Sequence, residues 1–227
     1  MIGKETGIHT MNLIEILKKD VDTHPVLKNK WLEKIQTNLS LDDLKLWLSQ
    51  EYFVSIDFVT WFLIASYKTE DIDIRIVLVE NVWEELGEGI KENSHIEILK
   101  KFLDKINYNY SSLKAFSQTK KYLDVMRNII ETDIFMALGA LGPANEYLLK
   151  KEYGKMYLSY KSLKSKENLP DGSFFEVNLN ADEGHSKKLF SLIEKVCDTD
   201  QKKKLVIEGN LRALDARSLF YDGLLSH

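Results

Sequence analysis

The 227-residue sequence contains few of the residues that cross-link or interrupt a chain. Its single cysteine, Cys197, excludes an intramolecular disulfide framework and a metal cluster built from cysteines. A lone cysteine fits a reducing compartment, and we expect Cys197 to be a small buried apolar residue. Only three prolines occur, at positions 25, 143 and 170. Long segments are therefore free of the residue that most strongly interrupts helices.

The sequence also lacks a concentrated positive charge and a long apolar run. The formal net charge is −4 and the lysines and arginines are dispersed, so we expect no nucleic-acid partner. The most apolar segment, 52–65, is interrupted by Asp57, and residues 1–11 contain no apolar core of signal-peptide length. We therefore expect a cytoplasmic protein without a membrane partner. Asp57 could face an internal cavity or belong to a polar seam, and we favour the seam.

Along most of the chain, apolar residues recur three and four positions apart. This spacing is the period of an α-helix, and we find no convincing strand. Because 44% of the residues are hydrophobic, the chain can bury a sizeable core. The sequence predicts an all-α multi-helix bundle that forms one domain, residues 11–227, after a flexible segment, residues 1–10. The predicted helices cover residues 11–22, 25–38, 41–66, 70–86, 95–107, 111–139, 143–165, 173–197 and 200–224.

Glycines and capping residues predict one helix boundary in detail. Gly87 and Gly89 should end the helix that precedes them. Ser94 and Glu97 have the spacing of a capping box, in which each side chain satisfies an exposed backbone N–H. A new helix should therefore begin at His95.

An acidic residue interrupts the apolar side of the helix that ends near Gly87. Ile74, Leu78, Val82 and Glu85 follow one another at spacings of four, four and three, which places them on one side of a helix. The neighbouring Glu84 lies about 100° round the helix axis. We therefore predict that Glu85 points inward, with Glu84 as the alternative.

Glu146 lies in a second row of this kind, together with Gly139, Gly142 and Leu149. The small residues could leave room beside the acid, and the Gly142-Pro143 pair could kink or interrupt the helix. Alternatively, the glycines are packing or capping positions and Glu146 lies at the surface.

A third row contains three polar residues on one predicted helix face. Phe175, Asn178, Asp182, His185 and Leu189 occur at spacings of three, four, three and four. A buried carboxylate needs a partner, and a metal ion is one such partner. The alternative is an Asp182–His185 pair on a surface face.

Taken together, these residues match the donor types of iron sites in helical bundles. Such sites combine inward carboxylates from two helices with carboxylate-x-x-His pairs from others. Asp182 and His185 have that spacing, and Glu85, Glu146 and His95 would supply the remaining donors.

Two stretches resemble signatures of the haem-oxygenase-like di-iron oxidases and oxygenases. Residues 81–89 followed by His95 resemble the Glu-x-Gly-x-Gly…His signature, and residues 174–185 resemble the Phe-Phe-x-x-His-x-x-x-Asp-x-x-His signature. Residues 140–146 and the tail 213–223 are also similar to that family. The resemblance implies a haem-oxygenase-like bundle. It also implies five iron ligands, which are Glu85, His95, Glu146, Asp182 and His185.

Asn178 departs from the family pattern, which usually has a histidine at that position. An amide oxygen is a much weaker donor to iron than an imidazole, so Asn178 is at most a weak ligand. The resemblance therefore implies either two Fe²⁺ ions, one of them labile, or a single ion.

The activity implied by this resemblance is the activation of dioxygen at Fe(II) to oxidise a small organic substrate. An external electron donor and a homodimer are the expected partners besides that substrate. Two alternatives share the fold. One is a CADD-like protein that forms para-aminobenzoate, and members of that branch act on one of their own tyrosines. The other is a non-iron protein like TenA or pyrroloquinoline-quinone synthase. The TenA activity needs a cysteine nucleophile, and Cys197, near a predicted helix end, is poorly placed for that role.

Overall fold

The computed structural model describes the backbone of residues 11–227 and the side chains of 11–180 and 184–227. The predicted flexible segment, residues 1–10, therefore lies outside the described residues. In the described part the chain forms α-helices joined by short connections, and no strand occurs there. The helices are α1 (Leu13–Thr23), α2 (Lys30–Thr37), α3 (Leu41–Lys68), α4 (Ile72–Glu85), α5 (His95–Lys105), α6 (Ser117–Thr132), α7 (Ile134–Leu141), α8 (Leu148–Lys164), α9 (Ser173–Val196) and α10 (Asp200–Leu225).

Side chains immediately before several helices accept hydrogen bonds from backbone N–H groups of the first turn. The long helix α3 begins with a capping box formed by Ser40 and Asp43. The Asp71 side chain accepts hydrogen bonds from the N–H groups of Asp73 and Ile74 at the start of α4. These bonds satisfy donors that have no partner within the helix, so they fix where each helix starts.

The all-α prediction is confirmed, but three predicted helices are interrupted. Residues 25–38 form a 3₁₀ turn, Pro25–Lys28, followed by α2. The predicted helix 111–139 is divided between α6 and α7, because the Asp133 side chain caps the N–H groups of Phe135 and Met136 and starts a new helix. The predicted helix 143–165 begins as a π-helical segment, Gly142–Tyr147, before α8.

Helices α7 and α10 pack with their backbones in close approach. A Cβ atom added to Gly139 would clash with the backbone of Val206, and one added to Gly209 would clash with the backbone of Met136. The two glycines therefore permit a helix spacing that larger residues would prevent. This contact places the segment after α7, which contains Glu146, against the centre of the bundle.

A cluster of aromatic side chains anchors the beginning of α9. The Phe175 ring stacks on Trp47 of α3, with the ring centroids 6.1 Å apart, and lies 4.9 Å from the Tyr160 ring of α8. Phe174 contacts Phe102 of α5 at 5.6 Å. These contacts fix the rotation of α9, and hence the direction in which Asn178 and His185 point.

The outward sides of α3 and α4 carry many apolar side chains. Large hydrophobic side chains there and just after α4 remain about half exposed or more: Ile56, Leu63, Tyr67, Ile72, Ile76, Val79, Trp83, Leu86 and Ile90. Exposed apolar side chains gathered on neighbouring elements mark interaction surfaces in many proteins. None of the described helices is both long enough and apolar enough to cross a membrane.

Candidate metal centre

A tight turn between α4 and α5 brings Glu85 and His95 together. The backbone at Gly87, Glu88 and Gly89 has positive φ angles of 72°, 54° and 83°. A Cβ atom on Gly87 would lie 2.5 Å from the carbonyl oxygen of Ile90, so the turn requires glycine there. The Nδ1 atom of His95 then lies 2.8 Å from Oε2 of Glu85. The two residues that this turn separates in the sequence therefore form a direct pair.

Helix α5 begins at His95 as predicted, but the predicted capping box is not formed. The Ser94 hydroxyl donates a hydrogen bond to the carbonyl oxygen of Lys91 at 2.7 Å instead of accepting one from α5. Glu97 forms an ion pair with Lys100 at 2.7 Å. The prediction was wrong because a preceding 3₁₀ turn, Lys91–Asn93, presents its own carbonyl to the serine.

Glu146 reaches the bundle centre from the π-helical segment. Leu148 donates its backbone N–H to the carbonyl of Pro143, five residues back, which is the π-helical spacing. The extra residue per turn is accommodated where Pro143 has no N–H to donate. Glu146 is completely buried, and neither of its carboxylate oxygens accepts a hydrogen bond of normal geometry from the described residues. The alternative that Glu146 lies at the surface is therefore wrong.

His185 of α9 lies between three carboxylates. Its Nδ1 atom is 3.3 Å from Oε1 of Glu146 and 3.8 Å from Oε1 of Glu85. Its Nε2 atom is 2.7 Å from Oε2 of Glu84. Glu85 is the buried member of the adjacent pair, whereas the Glu84 side chain is 35% exposed and also pairs with Lys188. Glu85 therefore points inward, as predicted, and Glu84 holds the far side of the imidazole.

Donor atoms of Glu85, Glu146 and His185 all lie within 4.8 Å of one another. This spacing allows the three side chains to hold one metal ion, and His95 reaches the group through its contact with Glu85. The structure thus brings together four of the five predicted ligands. The side chain of the fifth, Asp182, lies outside the described residues, although its backbone is part of α9.

The electrostatics of the centre suit a cation. Burial raises the pKa of Glu146. Burial alone would lower the pKa of His185, but the carboxylates of Glu146, Glu85 and Glu84 outweigh it and raise the pKa to about 9. Burial also opposes the charged form of His95, yet Glu85 raises its pKa. Without a metal, protons balance the negative charge of these carboxylates. A bound dication would take the place of those protons.

Asn178 lies beside this group but is a poor ligand. Its Nδ2 atom donates a hydrogen bond to the carbonyl of Phe174 at 2.7 Å, and its amide oxygen, the atom that could face a metal, is a weaker donor than an imidazole nitrogen. Asn178 lines a small cavity whose other walls include candidate ligands and apolar side chains. The lining residues are Glu51, Val54, Ser55, Phe58, Glu85, His95, Leu149, Tyr153 and Asn178.

Cys197 and Asp57 lie apart from the centre. Cys197 is buried, as expected, and burial raises the pKa of its thiol to about 11, so it is a poor nucleophile near neutral pH. Burial also raises the pKa of Asp57, where Arg127 and Asp124 are the charged neighbours. These neighbours favour the interpretation that Asp57 belongs to a polar seam and is not a metal ligand.

A buried ionic cluster that the sequence analysis did not predict adjoins the cavity. Arg217 of α10 is 1% exposed and donates hydrogen bonds to Glu51 of α3 at 3.0 Å and to Glu152 of α8 at 3.1 Å. A sequence signal for Glu51 existed, because Leu44, Trp47, Glu51, Val54 and Phe58 occur at spacings of three, four, three and four. That row is the same kind of pattern that predicted the metal centre.

The fold and this site define a class of protein, the haem-oxygenase-like helical proteins. A CADD-like protein of unknown function from Nostoc punctiforme superposes with a TM-score of 0.78, at 15% identity over 94% of this chain and 93% of the other. A TenA homologue from Pseudomonas syringae pv. tomato superposes with a TM-score of 0.71, at 13% identity over 96% and 98% of the two chains. At these identities the similarity establishes the fold alone.

Within that class, the chain belongs to the family of iron-containing redox enzymes, whose profile matches residues 45–218. The matched range includes every candidate ligand named above. The chain is also similar to a 4-aminobenzoate synthase of Nitrosomonas europaea, with 28% identity over 178 residues that cover 76% of this chain and 70% of the relative. The predicted family and fold are thereby confirmed.

Proposed function

We propose that this protein is an iron-dependent oxidase or oxygenase that uses dioxygen to oxidise a small organic substrate. One observation carries the proposal. Glu85, Glu146 and His185 are buried with their donor atoms within 4.8 Å of one another, and neither oxygen of Glu146 accepts a hydrogen bond of normal geometry from the described residues. Two buried carboxylates are costly in a protein interior unless positive charge balances them, and a bound cation would supply that charge.

The donor set suits iron in particular. Two imidazoles and carboxylate oxygens are the ligands of many non-haem Fe(II) oxygenases, and His95, His185 and Glu85 contain that combination. Bound Fe(II) would supply the electrons that reduce dioxygen, which none of these side chains can supply. Membership of the iron-containing redox family supports the choice of metal.

The protein's own residues would hold the donors in place and keep water out. Glu84 orients the His185 ring from its far side, because its Oε2 atom lies 2.7 Å from Nε2. This contact favours a proton on Nε2, so Nδ1 would be the nitrogen that binds the metal. Apolar residues Val54, Phe58 and Leu149 line the cavity beside His95. These walls exclude bulk water from the place where a reactive oxygen species would otherwise be lost to side reactions.

Formation of 4-aminobenzoate is a second candidate, for which the similarity to the Nitrosomonas europaea synthase is one argument. The other is the position of Tyr153, a tyrosine that lines the cavity together with Glu85 and His95. If the chain's own tyrosine is the source of the product, Tyr153→Phe should abolish 4-aminobenzoate formation. Tyr67→Phe, at an 87% exposed position, should have no effect. Product and peptide masses would be measured by mass spectrometry after exposure to Fe(II) and oxygen.

The primary test measures iron and oxygen together. Wild-type protein is loaded anaerobically with Fe(II), desalted and analysed for bound iron, and oxygen uptake is followed on mixing with aerated buffer containing candidate substrates. We expect iron binding and oxygen uptake in the wild type, and loss of both in His95→Ala and His185→Ala. His227→Ala removes a histidine whose ring stacks on Phe116, away from the centre, and should behave as wild type. Equal iron retention in all four proteins would refute the proposal.

A further inference from the structure

Glu51 is a buried carboxylate that is only partly neutralised. It is 2% exposed, and its Oε1 atom accepts a hydrogen bond from Nη2 of Arg217 at 3.0 Å. The same guanidinium is shared with Glu152, whose Oε2 atom lies 2.9 Å from Nη2. One buried positive charge therefore faces two buried carboxylates. The cluster has a surplus of negative charge whenever both acids are ionised.

Three atoms of this cluster have no hydrogen-bond partner of normal geometry among the described residues: Oε2 of Glu51, Oε1 of Glu152 and Nη1 of Arg217. Of these three residues, only Glu51 lines the cavity beside the candidate metal centre. The Tyr153 hydroxyl approaches the carboxylate and favours its ionised form, but burial dominates and raises the pKa of Glu51. A buried, unpartnered carboxylate oxygen is unusual in a native structure and indicates a missing partner.

Glu51 and the candidate metal centre lie on the same small cavity. Glu51 forms part of one wall, and Glu85, His95 and Asn178 form part of the others. The volume of this cavity is ≈ 30 Å³. A single water molecule needs roughly 10–15 Å³ by this measure, so the cavity has room for one ion with a water molecule and for little more. Glu51 therefore borders the same small space as Glu85 and His95.

We propose that Glu51 is a ligand for a second divalent metal ion, bound in this cavity beside the group formed by Glu85, Glu146 and His185. The inference rests on the metal centre proposed above and adds a donor to it. Arg217 holds Oε1 and thereby leaves Oε2 for the ion, while the positive charge of the ion balances the surplus in the cluster. Glu51 would also supply a strong oxygen donor next to Asn178, where the amide is a weak one.

Metal stoichiometry tests this inference without reference to catalysis. Wild-type protein, Glu51→Gln and Glu152→Gln are loaded anaerobically with Fe(II) by equilibrium dialysis and analysed for iron per chain. Glu152→Gln is the matched control, since Glu152 is as deeply buried and bonds to the same guanidinium but is not among the residues that line the cavity. We expect two ions in the wild type and in Glu152→Gln, and one in Glu51→Gln. The second-ion affinity of Glu51→Gln should fall at least tenfold.

The possible outcomes separate this inference from the proposed function. Two ions in Glu51→Gln would overturn the inference and leave the metal centre intact, as would a single ion in both the wild type and Glu51→Gln. No bound iron in the wild type would refute the proposed centre and this inference with it. Should Glu51→Gln fail to fold by circular dichroism, Glu51→Asp keeps the charge but shortens the side chain. That variant should fold and bind the second ion at least tenfold more weakly, and unchanged affinity would overturn the inference.

Discussion

Replacing Glu84 tests how His185 is oriented. Its Oε2 atom lies 2.7 Å from Nε2 of His185, while Nδ1 of the same ring faces Glu146 and Glu85. A carboxylate in this position selects the tautomer that carries its proton on Nε2, and it raises the basicity of the other nitrogen. Glu84→Gln keeps the size of the side chain but removes its charge. Loss of such an outer partner typically weakens metal binding 10- to 100-fold, which is about 1.4 to 2.7 kcal/mol.

The effect must be separated from the ion pair that Glu84 also makes with Lys188. That pair joins a half-exposed lysine to a partly exposed carboxylate at 2.7 Å, so it should contribute only about 0–1 kcal/mol to stability. It should contribute nothing to metal affinity. Glu80→Gln is the matched control, because Glu80 pairs with the same lysine at 3.5 Å from the preceding turn of α4.

Competition between the protein and a chelator for Fe(II) or Co(II), measured anaerobically, gives the affinities. We expect Glu84→Gln to bind 10- to 100-fold more weakly than the wild type, and Glu80→Gln to remain within about twofold. Glu85→Gln should lose more than Glu84→Gln, since Glu85 itself faces the metal. If Glu84→Gln and Glu80→Gln bind equally well, Glu84 does not orient the ring. If Glu84→Gln loses as much as Glu85→Gln, Glu84 is a ligand.

Three further predictions concern pH, packing and assembly. Carboxylates raise the pKa of His185 to about 9, and the ring must lose that proton to bind a metal ion. Metal affinity should therefore rise about tenfold per pH unit below pH ~9 and level off above it. Equal metal affinities at pH 7 and pH 8 would contradict this prediction. Gly139→Ala forces a methyl group into the α10 backbone and should lower the Tm by roughly 5 °C or more. The methyl group of Gly154→Ala would meet open space on a helix, so this variant should have a slightly higher Tm than the wild type. Calorimetry measures both changes. Nine large apolar side chains on and just after α3 and α4 are about half exposed or more, so we expect a homodimer that buries this face. Light scattering should show a dimer that Trp83→Glu converts to monomers, and a wild-type monomer would contradict it.

The helical fold was predictable because apolar spacing reports which side of a helix faces the core. The same spacing does not report where one helix ends and the next begins on the same side. Residues 111–139 read as one continuous row, yet the Asp133 side chain starts a new helix within it. At Gly142-Pro143 the sequence indicated a possible kink or interruption, but it did not indicate the π-helical form of Gly142–Tyr147, which depends on how the chain closes around a residue that lacks an N–H group.

The candidate site was predictable to the extent that polar residues interrupt apolar rows. Glu85, Glu146 and His185 were found in this way, and each is buried in the structure. Glu51 interrupts a row of the same kind, but the sequence alone did not connect it to a site. Its significance depends on Arg217, 166 positions away in the sequence, and only packing brings the two together.

The sequence could not show whether Glu84 or Glu85 contacts the site, and the structure shows that both do. Adjacent residues on a helix point about 100° apart, so only one of them can lie on the buried stripe. In the structure Glu84 also contacts the site, because His185 of α9 lies between the directions in which Glu84 and Glu85 point. One carboxylate then faces Nδ1, at 3.8 Å, and the other faces Nε2, at 2.7 Å. A pair of neighbouring acids at a helix end can therefore contact both nitrogens of one imidazole, with Glu146 as a second partner of Nδ1 at 3.3 Å.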